Sequence, residues 1–132
     1  MAAASNYTET LALNFLLTTG TATRPTAWYI GLHTADVTDA GSGTEVSGFS
    51  YARQAVAFDA ASGTNPTFCD NTSTITFPTA SGGNWGTITH IAIWDSLTTG
   101  NVLFHGALTT SKVVNDGDTF QILAGNLVIN LA

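Results

Sequence analysis

Positive charge is almost missing from this 132-residue sequence. Only Arg24, Arg53 and Lys112 are basic, against nine acidic residues, and the formal net charge is −6. Nucleic-acid binding needs several Lys and Arg to neutralise phosphates, so direct nucleic-acid binding is excluded. A polybasic membrane surface is excluded for the same reason. Charge of either sign is scarce: 9% of residues are charged, where a globular domain carries about a quarter. Cys69 is the one cysteine, so no internal disulfide forms, and no Cys/His spacing points to zinc. A small buried or half-buried side chain is its ordinary role. No apolar run reaches the ~18 residues of a membrane span. The opening MAAASNYTET has neither the basic start nor the long apolar core of a signal peptide. The expectation is a protein made in the cytoplasm and soluble until it reaches its destination.

What is present is an ordinary apolar fraction, 44%, enough for one domain, residues 1–132, around one core. The last third is the most informative stretch. From Trp85 on, apolar runs are cut by turn signals, with almost no charge beside them. A strand with one wet face alternates apolar and polar residues. Here Ile88, Ala92 and Trp94 share one parity while Ile91 and Ile93 share the other. Val102, Phe104 and Leu108 likewise oppose Leu103 and Ala107. Both faces read as covered, one by the chain's own second sheet and the other by a neighbouring subunit. With so few charges to solubilise a free surface, that points to an assembly protein rather than a catalyst.

Residues 5–18 read as the one helix. Ser5 or Asn6 caps it, Glu9 lies in its early turns, and Tyr7, Leu11 and Phe15 form an i, i+4 apolar stripe that Leu13, Leu16 and Leu17 widen. Gly20 is its expected stop. So apolar a helix is expected to pack on a sheet edge or on an oligomer mate. Strands are expected over residues 28–34, 51–59, 72–77, 87–94 and 102–108. A final hairpin of 119–123 and 126–131 is joined through Ala124-Gly125. Loops fill 35–50, 60–71 and 79–84. Seven or so short strands make a mainly β fold, an antiparallel β-sandwich, jelly-roll-like or Ig-like, with one N-terminal helix.

Catalytic and ligand motifs are scarce. His90 and His105 fall on consecutive strands, but a metal needs a third ligand on the same face and a second shell. Asp36, Asp39 and Glu45 share a solvated loop, and Asp116 and Asp118 form an NDGD turn; neither has the spacing of a calcium loop. No nucleophile elbow and no phosphate loop is present. No catalytic residue, metal or cofactor is therefore expected, and no enzyme. Of the aromatic residues, Trp28, Trp85, Trp94, Tyr29 and Tyr51 offer a sugar platform or, more ordinarily, core packing. Trp85 stands apart: it follows Ser-Gly-Gly-Asn in a loop and reads as an exposed anchor or as local packing. Arg53 sits where the exposed EVSG loop enters a strand, placed to pair with a carboxylate or to cap carbonyls within the chain. The candidate interface set is Tyr7, Leu11, Phe15, Arg53, Trp85 and His105.

The runs YIGLHTADVTDAGSGTEVSGFSYARQAVAF (29–58) and TFPTASGGNWGTITHIAIWDSLTTGNVLFHGALTTSKVVNDGDTF (76–120), with the closing AGNLVINL, resemble a widespread family of small tailed-bacteriophage virion proteins. Members are often labelled tail-fibre proteins, and similar small β proteins serve as capsid cement or decoration. The shared words are EVSG with YARQAV, WGTITHIAIWD, LFHGAL and the GDTF turn; the N-terminal helix matches least well. The resemblance implies a virion structural protein assembled in the host cytoplasm and brings no catalytic residues. With the sparse charge it implies first a capsid cement protein, a homo-oligomer with a trimer favoured, that stabilises contacts between major capsid proteins. The alternative is a tail-fibre or tail-tip component touching the host through residues 35–50 and 79–86, with Trp85 and Tyr51 against glycan or protein. A carbohydrate-binding module comes third.

Overall fold

The protein is described here by a computed structural model covering residues 2–131. In chain order its elements are β1 (Ala3–Ala4), α1 (Asn6–Leu17), β2 (Tyr29–His33), β3 (Gln54–Ala55), β4 (Thr67–Asp70), β5 (Ile75–Thr76), β6 (Gly86–Trp94), β7 (Val102–Val114), β8 (Gln121–Ile122) and β9 (Val128–Leu131). A five-stranded sheet runs in the order β1-β7-β6-β2-β3, and two ribbons, β4-β9 and β5-β8, stand apart from it. All pairings are antiparallel. The fold is mainly β and sandwich-like with one short helix. Its second layer is a pair of ribbons rather than one continuous sheet.

The core lies between these layers. Ile30 and Leu32 of β2, Ile88 and Ile93 of β6 and Leu103 of β7 meet Ile75, Phe77, Phe120 and Leu127 from the ribbon side. The Phe77 ring meets Phe120 edge-on, 5.7 Å between centroids, a favourable arrangement for aromatic quadrupoles.

The two-faced reading of β6 and β7 is resolved by bulges. The pairing slips between Ile88 and His90, and again between Ile93 and Trp94. An extra residue shifts parity, and each shift moves later side chains to the other face. Ile88 therefore joins Ile91 and Ile93 in the main core instead of siding with Ala92 and Trp94. Leu103 joins Phe104 and Leu108 there, while Val102 turns to the opposite face. On that opposite face Ala92, Trp94 and Val102 pack with Val37. The cover that was expected from a neighbouring subunit is supplied here by the chain's own loop, residues 34–46. Lower down the sheet that face is open: Thr87, Ala107, Thr109 and Ser111 are exposed.

Other differences have local causes. The loop expected over 60–71 contains β4, which pairs Thr67–Asp70 with Val128–Leu131. The stretch 51–59 keeps only two ladder residues, and β7 runs on to Val114, well past Leu108. The expected terminal hairpin does not form, because β8 pairs with β5 and β9 with β4. Asn71 takes the place of that ladder. Buried beside the Ala124-Gly125 turn, its Nδ2 donates to Ser73 O and Leu123 O, and its Oδ1 accepts from Leu127 N. Helix α1 starts as expected, with Ser5 Oγ accepting from Thr8 N at 3.2 Å. It ends at Thr18 rather than at a Gly20 stop. Thr18 returns to extended backbone, and its hydroxyl donates to Asn14 O and accepts from Gly20 N.

Candidate functional site

Arg53 is the centre of a buried lock. Its Nε and Nη2 donate to Glu45 Oε2 and Oε1 at 2.9 and 2.8 Å, a forked ion pair. Its Nη1 donates to the carbonyls of Ser96 and Thr99, both at 2.8 Å. The guanidinium lies 3.8 Å over the Trp94 ring, so its flat face is used as well as four of its five donors. Tyr51 completes the lock: its hydroxyl donates to Glu45 Oε2 at 2.6 Å and accepts from Leu32 N at 2.9 Å. A side chain at Gly31 would strike Glu45 Oε2 at 2.8 Å, so glycine leaves the room the carboxylate occupies. Burial alone would raise the Glu45 carboxyl, but hydrogen bonds from Arg53 and Tyr51 outweigh it and hold it below its ordinary value. Burial, with the Glu45 hydrogen bond, pushes the Tyr51 phenol up, so it stays a donor. Arg53 thus pairs with a carboxylate and caps carbonyls inside its own chain, tying the 45–53 loop to the 95–101 turn.

His33 lies beside this lock, fully buried and stacked on Trp94 with 6.0 Å between ring centroids. Neither ring nitrogen has a hydrogen-bond partner. Burial pulls the imidazole down to about 4, the nearby Glu45 opposing and Arg53 and His90 adding to the shift. His33 also stands opposite His90 in the β2–β6 pairing, whereas His105 stands opposite Ala92. The two histidines read as possible partners on consecutive strands, His90 and His105, are therefore not directly paired. His105 is buried, and its Nε2 meets Asp39 Oδ1 at 2.8 Å, with Asp36 at 3.8 Å from Nδ1. This pair clips the covering loop to β7. The start of α1 is pinned nearby: Ser5 donates through its hydroxyl to Val102 O and through its backbone to Leu103 O, and Asn6 N donates to Asp39 O. Among the described residues no three His, Cys, Asp or Glu side chains gather as a metal-holding group.

Trp85 is not the exposed loop anchor its sequence context offered. It is 6% exposed, meets Tyr51 edge-on at 5.3 Å and donates from Nε1 to Phe49 O. Trp85 and Tyr51 together belong to the core, so the surface pair imagined against a glycan does not form. The aromatic ring that does reach solvent in that region is Phe49, on consecutive left-handed residues Gly48, Phe49 and Ser50. A side chain at Gly83 would collide with that ring at 2.5 Å, so Gly83 is the floor on which Phe49 lies.

The least satisfied surface is α1. None of its residues is buried. Thr8, Leu11 and Asn14, three apart, are its only half-buried side chains and face β7, where Thr8 Oγ1 donates to Leu103 O. Of the stripe read from sequence, Leu11 is half-buried, while Tyr7 and Phe15 are 38% and 72% exposed. A second apolar face, Leu13, Leu16 and Leu17 at i, i+3, i+4, is 58–76% exposed and touches nothing in the chain's own core. Elsewhere an apolar groove of about 440 Å³ opens between the main sheet and the β4-β9 ribbon; Trp28, Phe58, Phe68, Cys69, Phe104 and Ile129 line it, with Arg24 and Asp59 its charged side chains among the described residues.

Comparison with known families decides the broader identity. The family model described as Podophage GP4 fiber I protein gp80 matches residues 3–130. The chain belongs to that family. It is accordingly a bacteriophage virion structural protein of tail-fibre-like kind, as the motif resemblance implied. No curated protein matches the chain. The fiber I match takes in α1 as well as the β-sandwich, including the helix region that carried the resemblance least. Within the family frame, EVSG and YARQAV supply Glu45, Tyr51 and Arg53 to the lock. WGTITHIAIWD is strand β6 with the residue before it and the one after, and LFHGAL is the part of β7 that holds His105. The recognisable words are therefore mostly those that weld loops to the sheet. No helix of the described residues is long and apolar enough to cross a membrane.

Proposed function

We propose that this protein is a non-enzymatic fibre subunit of the phage tail that works as a homo-oligomer, a trimer favoured, and binds other virion proteins through apolar surface. The observation that carries the self-association is α1: a 12-residue helix with no buried side chain and four large apolar ones more than half exposed. A monomer in water gains nothing from holding such a face out, and patches of this kind mark interaction sites. The family description, a fiber protein, supports the fibre location. The residues left to meet a host surface are those of the 47–50 and 81–84 turns, where Phe49 takes the place first assigned to Trp85.

The capsid cement role, with the major capsid protein as partner, is the second reading. It is favoured by further exposed apolar side chains outside the helix, among them Leu97, Val113 and Leu123. Copy number separates the two. Quantitative densitometry of purified virions is expected to show tens of copies or fewer per particle, and hundreds would move the assignment to the capsid. Light scattering of the purified chain is expected to show a defined oligomer; a stable, non-aggregating monomer at micromolar concentration would sink the self-association.

A further inference from the structure

The leucine face of α1 and the groove beside the β4-β9 ribbon are both apolar, both open, and never meet within one molecule: no residue of α1 lines the groove. We propose that α1 of one copy seats Leu13, Leu16 and Leu17 in the groove of a second copy, which offers its own helix onward in turn. This rests on the self-association proposed above and names the surfaces that make it.

Size and charge argue for this occupant, and area sets the form of the assembly. The groove holds about 440 Å³, roughly three times the ~150 Å³ that accommodates one benzene, enough for about three aliphatic side chains. The last turn of α1 contains no basic residue, so the partial negative charge of its final carbonyls is uncompensated. Arg24 stands at the groove and supplies the compensating positive charge when the helix enters with its C-terminal end toward it. As for area, 12 residues make a helix about 18 Å long and 10 Å wide, a footprint of roughly 200 Å². A stable pair buries about 800 Å² on each partner, so one seat is too small alone. A ring in which every copy both gives and receives a helix raises the contact to roughly 400 Å² per copy, still small by area, so the assembly depends on ring closure rather than on any one seat. Because helix and groove are different surfaces, the contact is head-to-tail, the kind that closes into cyclic oligomers. Ser5 and Thr8 keep the helix start anchored on its own sheet, so docking needs no refolding.

The groove contains the chain's one cysteine, Cys69, which makes the test direct. A chain carrying Leu16→Cys together with Cys69→Ser is mixed with the wild type and oxidised mildly. A disulfide between the two different chains is expected on a non-reducing gel; neither chain can form it internally. Cys69 of the wild-type assembly is expected to react with a thiol reagent at least tenfold more slowly than in Leu16→Asp/Leu17→Asp, a pair at exposed positions. Ala61→Trp, on the exposed groove wall, is expected to abolish the cross-link from the other side. An oligomer with no mixed disulfide and a freely reactive Cys69 overturns the helix-in-groove contact while leaving self-association intact. A monomer with a reactive Cys69 overturns both.

Discussion

Acid is expected to loosen the covered face of the sheet through one side chain, His33. The ring is fully buried, stacked on Trp94, and has no partner for either nitrogen. Its environment also holds Glu45, Arg53 and His90. Burial holds the folded imidazole at about 4, against 6.5 ordinarily. At about 1.4 kcal/mol per pH unit, that gap corresponds to roughly 3 kcal/mol. The unfolded chain takes up a proton as pH falls below 6.5, while the folded chain refuses it until about 4. The folded state is thus fully favoured above the unfolded pKa, and that advantage is lost as pH falls through this window. Near pH 5 the loss is about 2 kcal/mol. Urea unfolding at about pH 7 and about pH 5, compared between wild type and His33→Phe, measures it. Phenylalanine keeps the stack on Trp94 and removes the titration, so its stability is expected to change less over the same range. The depressed Glu45 carboxyl contributes stability that is lost only further toward acid, below its ordinary value of 4.5, and is common to both chains. Equal losses in the two chains would refute the assignment to His33.

Three further outcomes are expected. Arg53→Ala leaves Glu45 unpaired among buried neighbours and frees the carbonyls of Ser96 and Thr99; it is expected to cost about 3–5 kcal/mol in equilibrium unfolding. Arg53→Lys should recover only part of this, because an ammonium cannot fork onto both carboxylate oxygens. Asn71→Ala removes three hydrogen bonds, one to Ser73 and two to the 123–127 turn, and is expected to cost about 3 kcal/mol, with faster amide exchange at Leu127. Ser5→Ala removes the helix cap and the hydroxyl bond to Val102 O. A loss of about 1 kcal/mol is expected, with proteolysis in residues 18–27 rising as the helix start frays.

How much of this was legible in the sequence depends on whether a feature is local. The helix was, because its cap, first-turn acid and apolar spacing lie within a dozen residues. So were β2, β6 and the start of β7, whose apolar runs exceed their neighbours. What escaped is set by distant partners. Ala3–Ala4 and Thr67–Asp70 have little apolar pattern and become strands only because β7 and β9 offer them backbone. The terminal hairpin looked natural around Ala124-Gly125, yet Asn71, 50-odd residues earlier, claims the groups that turn would have used. Trp85 followed a glycine-rich loop and read as an exposed anchor or as local packing; packing is what forms, because Gly86, at φ +92°, breaks the alternation that would have set the ring beside exposed Thr87. The Arg53 pairing was anticipated in kind, but not the Glu45 carboxylate that receives it.

The bulges change the argument for assembly more than any other feature. Strict alternation made β6 and β7 look apolar on both sides and left one side needing a neighbour. With two register slips, the same residues sort into a main core and a smaller cluster, and residues 34–46, held by Arg53–Glu45 and His105–Asp39, cover that cluster from within. The surplus of apolar surface then moves from the strands to α1. That sheet face is closed by the buried Arg53–Glu45 pair and by hydrogen bonds, and α1, hydrogen-bonded to the sheet at its start, turns Leu13, Leu16 and Leu17 outward. In a chain of net charge −6 with only three basic residues, identical copies repel rather than attract at long range, and few complementary charges specify register. Register must then come from shape, and the proposed seating of the α1 leucines in the groove beside the β4-β9 ribbon would supply it.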